Sequence, residues 1–461
     1  MEEFCEKIFH LKENHTSMRT EIVSGITTFM TMAYILIVNP SILSATGMDK
    51  GALLTVTAIA SALGTFFMAA FANYPFALGP GMGLNAYFAY TVCLQMGNSW
   101  EMALSAVFIE GVIFIILSLT SIREAIFNAI PMTLKQAISV GIGLFIAFIG
   151  LLNARIIVAN KATKVSLYSF TKAMSDGTFH SVGITVLLAM LGILFTAYLI
   201  IKNVRGNILF GILGTWVLGM ICEATGLYVP NPELGTFSVF PNLSGGLASF
   251  APISPASLFL KLDFSHVMSL NFFAVIFAFL FVDTFDTLGT LIGVAAKSDM
   301  LDEEGHLPHI KGALMADACA TCTGALLGTS TVTTFVESAS GVSEGGRTGL
   351  TSITVAILFL LSLFLSPFFM AIPSFATAPA LVIVGFLMFS SVTKIKMDEL
   401  SEAIPAYIAI IAMPFAYSIS EGISFGVITY VVLNLLTGRS QKISGLMYVL
   451  AVLFILKYVL L

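Results

Sequence analysis

The sequence predicts an all-α protein that crosses a membrane many times, and three observations carry that expectation. Of its 461 residues, 57% are hydrophobic. Only 10% are charged, against about 25% in an ordinary soluble domain. Apolar runs of roughly the 20 residues that span a bilayer recur from one end of the chain to the other. With 21 basic and 26 acidic side chains, a soluble globule of this length cannot cover its surface, which excludes a soluble enzyme or a disordered hub. Net charge is −5 and there is no basic patch, so nucleic acid is not an expected partner.

Residues 1–21 are polar and charged, lack a cleavage signal, and read as a cytoplasmic N-terminal segment. About fourteen apolar segments follow, near 22–43, 51–73, 78–94, 100–120, 134–153, 181–201, 207–222, 268–296, 312–328, 331–344, 348–370, 376–393, 403–419 and 421–437. The third and tenth are short and rich in small residues. Within 439–461, the run from Leu446 to Leu461 reads either as a fifteenth helix or as one lying at the interface.

Lys and Arg placement sets the orientation. A cytoplasmic N-terminus puts Lys7, Lys12, Arg19, Arg123, Lys135, Lys202, Arg205, Lys297, Lys311, Lys394, Lys396, Arg439 and Lys442 inside. Only the loop with Arg155, Lys161, Lys164 and Lys172 disagrees. The 223–267 loop, poor in cations and rich in Gly, Pro and Ser, is then extracellular, and both ends of the fourteen-segment body are cytoplasmic.

The chain repeats itself. Thr28-Phe29-Met30-Thr31 matches Thr284-Phe285-Asp286-Thr287. Ile130-Pro131 precedes Gly143 as Ile372-Pro373 precedes Gly385, and Phe210-Gly211 matches Phe425-Gly426. The shared order predicts two halves of seven segments. An odd number makes the halves inverted, the usual build of secondary transporters.

The third segment contains Leu78-Gly79-Pro80-Gly81-Met82-Gly83-Leu84-Asn85-Ala86, and three glycines with a proline do not make a regular helix. The tenth opens with the β-branched Thr331-Val332-Thr333-Thr334 and continues through Glu337-Ser338-Ala339. Irregular backbone at membrane depth is tolerated where it is buried or lines a cavity, and paired broken segments point to a midplane binding site. The alternative is that the glycines, with Gly341, Gly345 and Gly349, serve close packing.

Acids inside apolar runs need a partner or a function. Asp283 and Asp286 share one helix face, where two carboxylates repel, and Glu337 lies in the broken tenth segment. Asp286 either faces a ligand or bonds a neighbouring helix. Glu110 and Asp317 have no broken backbone beside them in sequence and read as structural polar locks. Arg347 is expected to pair with Glu344 or reach water. Cys319 and Cys322 read as packing residues, Asp302-Glu303-Glu304-Gly305-His306 with His309 as a solvated loop, and Gly341-Val342-Ser343-Glu344-Gly345 as a chance hydrolase-like motif without a core histidine. No catalytic or metal-binding residue is expected.

With these residues in place, the chain resembles the nucleobase–cation symporter-2 superfamily and, within it, the AzgA-like purine permeases. The resemblance runs from about Leu11 to Arg439. It rests on the stretch from Phe29 to Pro40, the Gly79 to Ala86 stretch, Asp283-Thr284-Phe285-Asp286-Thr287-Leu288-Gly289-Thr290, and Glu337-Ser338-Ala339 with Gly345-Gly346-Arg347-Thr348-Gly349-Leu350. Gly346-Arg347 stands where the wider superfamily usually has Thr-Arg, in keeping with the purine subgroup.

The resemblance implies a uracil-permease-like fold with a core domain (22–120 and 268–370) and a gate domain (121–222 and 371–438), moving as an elevator, in a homodimer of the cell membrane. It implies proton-driven uptake of guanine, hypoxanthine or adenine, with sodium the alternative coupling ion and no cofactor. By position it assigns Asp283 and Glu337 to the substrate, Asn85 to selectivity and Asp286 to support, with Ser338 beside Glu337. The residue chemistry agrees. A carboxylate accepts the N1–H and 2-amino donors of guanine, Asn85 suits adenine, and Phe29 and Phe285 are candidates to stack on the ring. Protonation of Asp283 or Glu337 is expected to couple proton to substrate. The rivals are a same-fold carrier of uracil, xanthine or a small anion, and a membrane-embedded enzyme.

Overall fold

The computed structural model describes residues 2–120, 130–265, 267–296, 300 and 307–460. Arg123, Lys297, the acidic 302–306 run and the Phe285 side chain lie outside the described residues. The first half runs α1 (Met18–Met32), α2 (Ile35–Leu43), α3 (Lys50–Ala72), β1 (Leu78–Pro80), α4 (Met82–Ala86), a π-helix over Tyr87–Gln95, α5 (Trp100–Ser118) and α6 (Met132–Asn153). A small hairpin, β2 (Ile157–Asn160) and β3 (Lys164–Leu167), leads to α7 (Ile184–Ile201) and α8 (Asn207–Ala224). The second half runs α9 (Leu270–Ala296), α10 (Ile310–Leu327), β4 (Val332–Thr334), α11 (Ser338–Ser343), α12 (Gly349–Ser362), α13 (Ser374–Phe389), α14 (Leu400–Phe415), α15 (Ile419–Leu436) and α16 (Gly445–Leu460).

Each predicted segment has an element in its place, most within a few residues. Among the described residues, eleven helices are long and apolar enough to cross a membrane, while α14 is shorter and the third and tenth segments are broken. The first segment is not one regular helix. A turn at Ala33–Tyr34 separates α1 from α2. Leu191, Leu194 and Ile201 stand exposed on α7, a liability in water that lipid removes.

The helices pack in two groups. In one, α3 contacts α2, α10 and α12, α10 contacts α5, α12 contacts α1, and α9 contacts α5. In the other, α6 contacts α13 and α14, α7 contacts α8 and α13, and α14 contacts α15. The repeats meet within each group. In the first, β1 and β4 pair antiparallel with Leu78 opposite Thr334 and Pro80 opposite Val332. In the second, α6 crosses α13 where Gly143 faces Gly385. A Cβ on Gly385 would lie 2.4 Å from the Gly143 carbonyl oxygen, and one on Gly143 would lie 2.6 Å from that of Gly385. The obstacle is backbone on both sides, so no rotamer relieves it.

A third contact ties the chain's beginning to the second half. Glu21, at the start of α1, is fully buried. It accepts from the backbone N–H groups of Arg347 (2.8 Å), Thr348 (3.3 Å) and Thr351 (3.2 Å), and from Thr351 Oγ1 (2.7 Å). These include orphan donors at the N-terminus of α12, where a carboxylate is also favoured by the helix dipole. Arg347 neither pairs with Glu344 nor reaches water alone. Its Nη1 donates to the Val342 and Gly346 carbonyls at 2.7 Å each, at and just past the end of α11. Glu344 pairs with Arg205 instead.

Gly385→Val should force α6 and α13 apart and cost about 1–3 kcal/mol, read as a lower thermal midpoint in detergent. Glu21→Gln should cost a similar ~1–3 kcal/mol, because an amide N–H then faces backbone N–H donors. An unchanged midpoint in that variant would remove Glu21 as the anchor of α12.

Candidate functional site

The two broken segments meet because neither can satisfy its own backbone. Beyond the paired strands, the Gly81 N–H donates to the Thr331 carbonyl (3.0 Å) and the Phe335 N–H to that of Ala77 (2.9 Å). Side chains complete the joint. Ser338 Oγ, fully buried, accepts from the Ala77 N–H (3.0 Å). Asn85, also fully buried, donates to the Pro80 carbonyl (3.3 Å) and accepts from Ser330 Oγ. In this arrangement Ser338 and Asn85 hold the third segment to the tenth.

Glu337 follows β4 and immediately precedes α11, and it is half-buried. Tyr34 Oη, at the α1–α2 turn, donates to its Oε1 at 2.7 Å. Thr31 Oγ1 bonds Ser340 Oγ (2.8 Å) on the next turn, so α1 frames this acid. Asp286, half-buried on α9, approaches from the other side. A Cβ on Gly81 would stand 3.4 Å from Asp286 Oδ2 and 2.9 Å from Thr333 Cγ2, so glycine is what lets α9 and β4 close on β1. Asp286 lies within electrostatic range of both Glu337 and Tyr34.

Asp283, one turn earlier on α9, is fully buried. Thr287 Oγ1 lies 3.0 Å from Asp283 Oδ1, 3.1 Å from both oxygens of the fully buried Asp317, and 2.7 Å from Thr333 Oγ1. Glu110, buried on α5, accepts from Thr331 Oγ1 at 2.9 Å. Glu110 therefore touches the broken tenth segment directly, and Asp317 reaches it through Thr287. Neighbours in sequence do not reveal this, because it is folding that brings Thr331 to Glu110 and, through Thr287, Thr333 to Asp317. Phe29 is half-buried and meets Phe359 edge-on, with ring centroids 5.2 Å apart.

The structure thus brings together Glu337, Asp286 and Tyr34 at one place, with Asp283, Thr287 and Asp317 behind. Tyr34 and Thr287 escaped the sequence reading as site residues, and Glu21 as the buried anchor of α12. Tyr34 and Thr287 lie inside quoted motifs, but a hydroxyl in an apolar run carries no signal until its partner is known. Cys322 packs against Gly111 and Phe108, in keeping with the packing reading of the cysteine pair.

The comparisons with known proteins fit this architecture. A permease family model, Xan_ur_permease, matches residues 19–425. A putative permease of Methanocaldococcus jannaschii is 51% identical over 456 residues, covering 99% of this chain and 98% of that one. The adenine permease AdeP of Escherichia coli is 41% identical over 98% of this chain and 96% of its own length. The guanine/hypoxanthine permease PbuO of Bacillus subtilis is 43% identical over 98% of this chain and 99% of its own. Among solved structures, the transmembrane domain of the cyanobacterial bicarbonate transporter BicA superposes with a TM-score of 0.63 at 16% identity, covering 88% of this chain and 97% of that one. That likeness speaks for the fold alone. With its irregular segments paired at the centre of a bundle of apolar helices, the chain is a multi-pass membrane transporter and belongs to the nucleobase–cation symporter-2 family of permeases.

Proposed function

We propose that this protein imports purine nucleobases (guanine, hypoxanthine or adenine) across the plasma membrane, with protons as the coupling ion. The observation that carries the reading is the set of acids, Glu337 and Asp286 with Asp283 behind, gathered where the two broken segments pair. Relatives named as adenine and guanine/hypoxanthine permeases align over nearly their whole length.

A purine is flat and neutral, and its edges carry donors and acceptors. Glu337 accepts from the N1–H and 2-amino edge of guanine while Tyr34 holds the carboxylate in place. Asp283 or Asp286 supplies the second acceptor, and Phe29 and Phe285 stay the candidates to stack on the ring. Asn85 and Ser338 act on selectivity through the joint they hold. An anion such as sulfate or bicarbonate is disfavoured, because an acidic site repels it.

The coupling proton is taken by Asp283 or Glu337. The Thr287 hydroxyl has one proton to give and stands within 3.1 Å of both Asp283 and Asp317, so a proton arriving there has an acceptor on either side. Protonation removes a buried charge and lets the loaded unit move. In this reading residues 22–120 and 268–370 form the moving core and residues 121–222 and 371–438 the gate. The core slides as an elevator within a homodimer, and both ends of the fourteen-segment body are cytoplasmic. The division into two packing groups, with Arg205 of one paired to Glu344 of the other, supports a sliding interface.

The test is uptake of radiolabelled guanine, hypoxanthine, adenine, uracil and sulfate into proteoliposomes. Purine uptake that rises severalfold under an inward proton gradient is expected, and no purine uptake by correctly folded protein overturns the reading. A response to sodium but not to pH would replace the proton alone. Glu337→Gln should abolish or strongly weaken purine binding, measured by calorimetry or scintillation proximity. Wild-type affinity in that variant would take Glu337 out of the site.

A further inference from the structure

The acids of the site account for only one edge of an oxopurine. Guanine and hypoxanthine also carry an acceptor edge, O6 beside N7, and the natural partners of that edge are Lys and Arg. Such partners lie elsewhere in the structure. A cavity of about 450 Å³ opens at the end of the molecule that carries the 223–267 loop, within the size range of small-molecule sites. Its wall takes Ser41, Ser44 and Lys50 from one packing group and Asn153 and Arg155 from the other. Among the described residues no carboxylate lines it.

Both cations are placed where the fold gains little from them. Lys50 is the first residue of α3, at the positive end of the helix dipole, and is half-buried. Among the described residues no hydrogen bond or ion pair engages its ammonium. Arg155 has φ of 56°, a left-handed conformation that a long side chain rarely adopts. Its Nη2 donates to the Leu234 carbonyl (2.9 Å), which pins the guanidinium at the cavity wall and leaves its other donors for a ligand. Phe237, 64% exposed, also lines the cavity and offers a ring for a base to stack on. Asn153 connects this wall to the interior by donating to Tyr90 Oη (3.2 Å), on the π-helix that continues the third segment.

We propose that this cavity is a second binding site, a vestibule that receives oxopurines through their O6/N7 edge by Lys50 and Arg155 and selects them over adenine. Adenine places an amino donor where the oxopurine has O6, so it brings a donor against a cation. The inference rests on the purine-permease reading and deepens it, by naming guanine and hypoxanthine as the class favoured at the mouth.

The test follows the labelling rate of Ser44→Cys by a membrane-impermeant maleimide, with hypoxanthine, adenine or inorganic phosphate present. Each arm is run in the otherwise wild-type chain and with Glu337→Gln, and unmodified protein supplies the background of the native cysteines. Hypoxanthine is expected to slow labelling in both backgrounds, and adenine to do so weakly. Adding Lys50→Gln should raise the half-protecting concentration about tenfold, the worth of one charge-assisted hydrogen bond, while Lys50→Arg retains protection. Arg155→Gln is the second variant, in case Lys50→Gln does not elute as a monodisperse protein. Equal protection by adenine, protection as strong from phosphate, protection unchanged by both substitutions, or protection lost with Glu337→Gln each overturns the vestibule. Purine uptake without protection overturns it and leaves the transport reading standing. Protection without uptake supports it and overturns the transport reading.

Discussion

Everything in this molecule follows from one constraint: backbone that is not helical must find its hydrogen bonds inside the protein, because lipid supplies none. The third segment cannot stay helical through Gly79-Pro80-Gly81, and the tenth starts with β-branched residues. Each alone would leave orphan N–H and C=O groups at membrane depth. Antiparallel pairing of β1 with β4 joins them, and the neighbours finish the work. Thr65 on α3 both donates to and accepts from the Leu78 backbone, and Thr321 on α10 donates to the Val332 carbonyl. The break also determines where the chemistry sits, since Glu337 follows β4 and Gly81 admits Asp286 beside β1.

The same scarcity of water decides how the buried acids are held. Glu21, Glu110, Asp283 and Asp317 are all fully buried, and each has a threonine hydroxyl within hydrogen-bond distance. A hydroxyl satisfies a carboxylate without bringing a second charge out of water, which is costly unless its geometry is excellent. It also carries one proton and two lone pairs, so it serves an acid in either protonation state. In the proposed proton-coupled cycle, that property keeps each acid satisfied whether or not it holds the proton. Cations are kept where water can reach them, as at the Arg205–Glu344 pair, or at a polar cavity, as with Lys50 and Arg155.

The repeat is visible in packing as well as in sequence. Gly143 and Gly385 follow matching Ile-Pro pairs and press backbone to backbone where α6 crosses α13, while the matched segments three and ten pair through their strands. Gly211 and Gly426 likewise each seat a helix against its neighbour, on Thr196 and on Ala409. Related positions do related work in each half, the behaviour expected of inverted repeats.

The sequence by itself determined the membrane class, the order of the segments, the two broken places and the acids worth watching. Hydropathy and helix-breaking residues are local properties that need no partner to be read. The run 51–73 became Lys50–Ala72, and the extended opening of the tenth segment became Val332–Thr334. The tertiary structure alone decided who meets whom. It set Tyr34 against Glu337, Ser330 against Asn85 and Glu21 against Thr351, pairs separated by 303, 245 and 330 residues. It gave Glu344 to Arg205 rather than Arg347, and set Glu110 against Thr331, 221 residues away. A hydroxyl or carboxylate has the same composition wherever it points, so only the packing of helices reveals which are spent on the fold and which are left for a ligand.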